Sequence, residues 1–97
     1  MALTDVAIRN AKPDTKAIKL ADGGGMFLLI TPAGGKLWRL KYRVDGREKL
    51  LAIGAYPEIG LGEARRRREE ARELIALGKD PSREKQREKV RARIQAA

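Results

Sequence analysis

Between Lys36 and Lys49 the chain places cations at alternating positions, and that spacing can do chemistry. In KLWRLKYRV, residues 36–44, Arg39, Lys41 and Arg43 interleave with Trp38, Leu40, Tyr42 and Val44. Period-two alternation with Trp, Tyr and Val is a strand pattern, so the three cations project from one side, about 6.6 Å apart. A two-stranded ribbon fits the major groove of B-DNA, where arginine bonds guanine edges bidentately and phosphates lie within reach. The plainer reading is the solvated face of an antiparallel sheet. Such faces usually mix signs, and here Glu48 is the one acid.

Asp45-Gly46 is a hairpin turn signal, and the return strand runs from Arg47 to Ile53. With a two-residue turn, Val44 faces Arg47, Tyr42 faces Lys49, Leu40 faces Leu51 and Trp38 faces Ile53. The cation row then pairs Arg39 with Ala52, Lys41 with Leu50 and Arg43 with Glu48. A bulged turn would shift the return strand by one residue and redirect Arg47 and Lys49, leaving the Arg39, Lys41, Arg43 row in place.

The whole chain shares this bias. Its 97 residues hold 22 Lys and Arg against 13 Asp and Glu, a net charge of +9. Such an excess implies an anionic partner, with nucleic acid ahead of an anionic membrane surface. There is no Cys and no His. That excludes a disulfide framework, most transition-metal sites and any His-dependent nucleophile, so no catalytic residue, metal or cofactor is expected. The absence of Cys fits a reducing cytosol. Asp5, Asp14, Asp22, Asp45, Glu48 and Glu58 are scattered through turns and caps and form no acid–base pair. The amino terminus lacks the apolar core of a signal peptide, and Met26–Ile30 is far too short to span a bilayer, so no membrane partner is expected.

The elements that must hold the cation row can be read from punctuation. Thr4 caps a short helix ended by Pro13, with Leu3, Val6 and Ile8 available to pack inward. Ile18 and Leu20 alternate around Lys19 as a short edge strand. Asp22-Gly23-Gly24-Gly25 is a turn; it lacks the Gly-Lys-Ser/Thr signature and following helix of a phosphate loop. Met26 to Thr31 is an apolar strand. After Pro57, Gly60 and Glu63 mark the start of a helix over Leu61–Leu77, whose stripe is Leu61, Ala64, Ala71, Leu74 and Ile75. Gly78 stops it, and Asp80-Pro81 begins another segment. Arg65 to Arg68 point all around the helix, so most should pair with Glu69, Glu70 and Glu73, with one or two reaching phosphate.

These elements predict an α+β fold: a three- or four-stranded antiparallel sheet, one face packed by the C-terminal helix, with a short N-terminal helix. The expected core is Trp38, Leu40, Ile53, Leu28 and Ile30 with Leu61, Ala64, Ala71 and Leu74. Residues 1–80 form the domain. Residues 81–97, where Val90 and Ile94 are the large apolar residues, read as a helical or flexible linker.

The ordered combination LTDVAIRNAKP, KLADGGGMFLLI, KLWRLKYRVDGREKLLAIGAYP, GEARRR and GKDP, from Leu3 to Pro81, resembles the amino-terminal arm-type DNA-binding domain of prophage and phage integrases, which are tyrosine recombinases. The resemblance implies sequence-specific binding of double-stranded DNA at arm-type attachment sites, positioning a recombinase for integration and excision. Carried onto this chain, the DNA-facing cations are Arg39, Lys41 and Arg43, flanked by Lys36, Arg47 and Lys49, with Lys12 in NAKP a weaker candidate. It further implies a cytoplasmic, nucleoid-associated protein. Its partners would be other protomers of the parent recombinase, with host DNA-bending proteins and an excisionase as further candidates. Gly60 stands where such sequences often carry a capping Ser. The family's catalytic domain has a His-containing pocket and a nucleophilic Tyr. Tyr42 and Tyr56 both lie inside the arm-domain resemblance, so the chain is expected to be a fragment or remnant of a longer protein. Two alternatives stand beside this reading: an RNA-binding module, and a protein-interaction domain using the Arg-rich helix.

Overall fold

The computed structural model describes residues 2–87. The elements are α1 (Asp5–Asn10), β1 (Ile18–Gly23), β2 (Met26–Ile30), β3 (Lys36–Val44), β4 (Arg47–Ala55) and α2 (Leu61–Ala76). Residues 81–87 are also helical. The strands form one antiparallel sheet in the order β1-β2-β3-β4, so the predicted α+β class holds with four strands. The expected continuation of the linker over 88–97 lies outside the described residues.

Alternation decides which side each residue takes. Leu28, Ile30, Trp38 and Leu40 point to the face covered by the helices and are essentially fully buried. Ile8, Met26, Ile53, Leu61, Ala64 and Ala71 complete that core. Thr4 caps α1 through its hydroxyl, which accepts from the Ala7 N–H at 3.2 Å. Of the three apolar residues expected inward there, Ile8 is buried and Leu3 half-buried, but Val6 is 57% exposed. Six residues of helix can present only one narrow side, and Ile8 occupies it. Leu74 also departs from expectation. It is half-buried because it lines an open groove of about 430 Å³ with Leu51, Ile53 and Pro81.

The Asp45-Gly46 turn has both residues at positive φ, 51° and 76°, the two-residue type that matches strand twist. The register follows: Val44 pairs with Arg47, Tyr42 with Lys49, Arg43 with Glu48, Lys41 with Leu50, Leu40 with Leu51 and Arg39 with Ala52. One expected pair fails. Trp38 faces Gly54 rather than Ile53, because β4 carries an extra residue between the partners of Arg39 and Trp38. The glycine is required there: a Cβ on Gly54 would lie 2.5 Å from Cγ1 of Ile59. That close approach brings the Ile59 carbonyl to the Trp38 indole N–H, which donates to it at 2.8 Å.

The triple-glycine turn also has a steric cause. Gly25 sits at φ +87°, and a Cβ there would meet the Lys41 carbonyl oxygen at 2.5 Å, backbone against backbone. Its own carbonyl accepts from the Lys41 N–H at 2.9 Å. Gly25→Ala therefore combines a left-handed strain of about 1–2 kcal/mol with a clash that only backbone movement relieves. We expect it to lower the melting temperature by roughly 10 °C or more, since about 1 kcal/mol moves a domain of this size by 4–8 °C. An unchanged thermal melt would contradict the close approach.

Candidate nucleic-acid interface

α1 and α2 cover one face, and among the described residues no helix lies on the opposite face of the sheet. β3 sends Arg39, Lys41 and Arg43 to it, as the alternation predicts. Lys41 and Arg43 are exposed and Arg39 is half-buried. Lys41 pairs with Glu48 across the hairpin at 3.0 Å, with both side chains more than half exposed, so water screens that pair heavily. Arg39 lies back along the sheet, its Nη1 donating to the Trp38 carbonyl at 3.2 Å. Arg43 has no ion pair among the described residues.

Two further residues belong to this face. Lys19 on β1 lies over the ring of Phe27, 5.3 Å from its centroid, and Phe27 pairs with Arg39 across β2 and β3. The alternation of Ile18 and Leu20 around Lys19 was the signal for its direction. Among the described residues the strands thus place four cations on the open face, Lys19, Arg39, Lys41 and Arg43, against Glu48.

The other sequence candidates stand elsewhere. Lys36 lies on the helix-facing side, where its ammonium donates to the carbonyls of Ile8 at 2.7 Å and Arg9 at 3.4 Å, and sits 5.6 Å from the centre of the Tyr56 ring. It closes the carboxyl end of α1. Lys49 also faces the helices, paired with Asp80. Asp80 is buried and accepts from the Tyr42 hydroxyl at 2.6 Å and the Ser82 N–H at 3.0 Å. The bond from Lys49, then that from Tyr42, holds the Asp80 carboxyl down at about 2, while burial followed by the bond to Asp80 pushes the Tyr42 phenol up. This network fastens the start of the 81–87 helix beneath the hairpin. Lys85 adds a 2.7 Å bond to the Ala52 carbonyl. Arg47 lies at the hairpin tip, lining a groove of about 510 Å³ with Lys49, Lys79 and Arg83. Lys12 is exposed in the connection between α1 and β1.

The four-arginine run divides by direction. Arg66 bonds Glu63 and Glu70, and Arg67 bonds Glu63; of the expected partners Glu70 is used here and Glu69 by Arg68, while Glu63 takes the place foreseen for Glu73. These contacts, Arg66 first, hold Glu63 at about 2. Arg65 and Arg68 turn inward to Asp22, whose side chain is 1% exposed. Asp22 also accepts from the Leu3 N–H at 2.9 Å. Burial is the largest single influence on its carboxyl and acts upward. The bonds from Arg65 and Leu3, with the charges of Arg65 and Arg68, outweigh it and set the carboxyl below its usual range. A turn residue in the sequence is therefore a buried junction of the N-terminus, β1 and α2. The acid preceding three glycines looked like turn chemistry, and nothing local distinguished it.

The described residues thus form a four-stranded sheet with helices on one side and a basic row on the other. Residues 3–88 match the arm DNA-binding domain, and the chain belongs to that family. It is 55% identical over 65 residues to putative protein IntB of Escherichia coli K12, spanning 67% of this chain and 16% of that protein. It is 49% identical over 90 residues to prophage integrase IntZ of the same strain, covering 91% of this chain and 22% of the relative. The integrase of Enterobacteria phage P4 is 43% identical over 83 residues, 84% of this chain and 19% of the phage protein. The chain thus spans about a fifth of the length of these relatives. Among the described residues no helix is long and apolar enough to cross a membrane.

Proposed function

We propose that the open face binds duplex DNA sequence-specifically at arm-type attachment sites and so positions a tyrosine recombinase for prophage integration and excision. The observation that carries this reading is the Arg39, Lys41, Arg43 row, set on a face that no described helix covers by a hairpin whose other side is anchored in the core. Phosphate contacts from this row and from Lys19 supply affinity. Arg39 and Arg43 reach base edges and supply specificity. Arg47 and Lys12 act as flanking phosphate contacts. Lys36 and Lys49 support the surface from behind through α1 and Asp80. In the parent protein, other recombinase protomers, DNA-bending proteins and an excisionase would meet the domain on its site, in the bacterial nucleoid.

Single-stranded RNA recognition is the weaker reading. It asks for exposed aromatic rings on which bases stack. Phe27, the aromatic residue on the open face, is only 9% exposed and lies under Lys19.

The test is titration of a selected duplex across a salt series. With about five phosphates neutralised, log K falls against log salt with a slope near −4.5. Arg39→Ala is expected to weaken the selected site by about 1–3 kcal/mol, to flatten preference at one or two base pairs and to reduce the slope by about 0.9. Wild-type affinity and slope in this variant would remove the open face from the interface. Stronger binding to single-stranded RNA than to duplex would favour the other class.

A further inference from the structure

The open face is not uniformly cationic. Its β3 column is the half-buried Leu37 followed by Arg39, Lys41 and Arg43; its β4 column is Glu48, Leu50 and Ala52. Leu50 is 57% exposed beside Lys41. It adds nothing to the core, whereas its neighbour Leu51 packs against the core from the other face. Glu48 is occupied by Lys41. When a duplex covers this face, Leu50 loses its water and must meet an apolar group, or it leaves polar base edges without partners. In the major groove the apolar group that the bases offer is the C5-methyl of thymine.

We propose that Leu50 is a specificity residue that reads a thymine methyl next to the bases contacted by the arginine row. The inference rests on the duplex-binding reading above and deepens it. Diagonal neighbours on a sheet lie about 7–8 Å apart, close to two base-pair steps of about 3.4 Å. The thymine therefore falls within about two base pairs of a guanine contacted by Arg39 or Arg43.

The experiment uses the 97-residue chain and the duplex it selects from a random pool. Each thymine in that duplex is replaced singly by deoxyuridine, which removes the methyl and leaves every hydrogen-bonding group in place. The expected result is one position at which uracil weakens the wild type about fourfold, the effect of losing one buried methyl. At that position Leu50→Ala binds the thymine and uracil duplexes equally. Leu50→Gln, which replaces the apolar end with an amide suited to adenine, is expected to shift the preferred base there from thymine to adenine. Both variants should melt as the wild type does, because the side chain they alter is mostly in water. Equal wild-type binding to every uracil duplex overturns the inference, as does a methyl preference that survives in Leu50→Ala. Neither result touches the arginine row, whereas a wild type that binds no duplex removes the underlying reading as well.

Discussion

Trp38→Ala is expected to leave the domain largely unfolded at 25 °C. Trp38 is the largest fully buried side chain, at 0% exposure, and stands in the middle of the sheet between Leu28 on β2 and Gly54 on β4. Truncating a buried tryptophan costs about 3–5 kcal/mol, because the transfer free energy is lost and a cavity remains. A chain of this size has little in reserve, within a typical range of about 5–15 kcal/mol. The Ile59 carbonyl also loses the indole N–H. Trp38→Phe separates the two contributions: it keeps most of the apolar area, loses that bond and should cost about 1–3 kcal/mol. Urea titrations followed by circular dichroism would measure both. A Trp38→Ala protein with a wild-type urea midpoint would overturn the core assignment.

The same nine residues of β3 build the core and display the candidate site, which is why so much of both was legible. Trp38, Leu40 and Tyr42 must face the helices, so Arg39, Lys41 and Arg43 must face away, and a one-residue slip would exchange them. The turn type followed from Asp45-Gly46, and six of seven predicted hairpin pairs appear in the register. What could not be read depended on partners distant in sequence. Lys36 and Lys49 look like members of the cation run until α1 and Asp80 are placed behind them. The bulge opposite Trp38 arises from packing of Ile59 on Gly54, a contact that no local pattern encodes. Arg65 and Arg68 differ from Arg66 and Arg67 only by their angle about the helix axis. That angle became informative once Asp22 lay beneath two of them.

Asp22→Asn tests that junction. The carboxylate bridges the N-terminal segment, β1 and α2, with Leu3 N–H, Arg65 and Arg68 all bonding to it. Removing one member of a fully buried ion pair costs about 3–5 kcal/mol, because the remaining charge is left without compensation. Here Arg68 is only 15% exposed but Arg65 is 39% exposed and can take water, so a loss of about 3 kcal/mol is expected. The pH dependence gives the mechanism a second signature. The folded carboxyl of Asp22 is depressed, so its contribution is complete above the unfolded value near 3.8 and is lost as pH falls through the lower folded value. Asp80, held at about 2, behaves in the same way. The wild type should therefore lose stability progressively from about pH 4 toward pH 2. Asp22→Asn should begin less stable at pH 7 and show a shallower acid limb, with the portions from Asp80 and the more exposed Glu63 remaining. A pH 7 urea midpoint equal to the wild type's, or an acid limb of unchanged steepness, would mean that the ion-paired carboxylate does not hold α2 to the sheet.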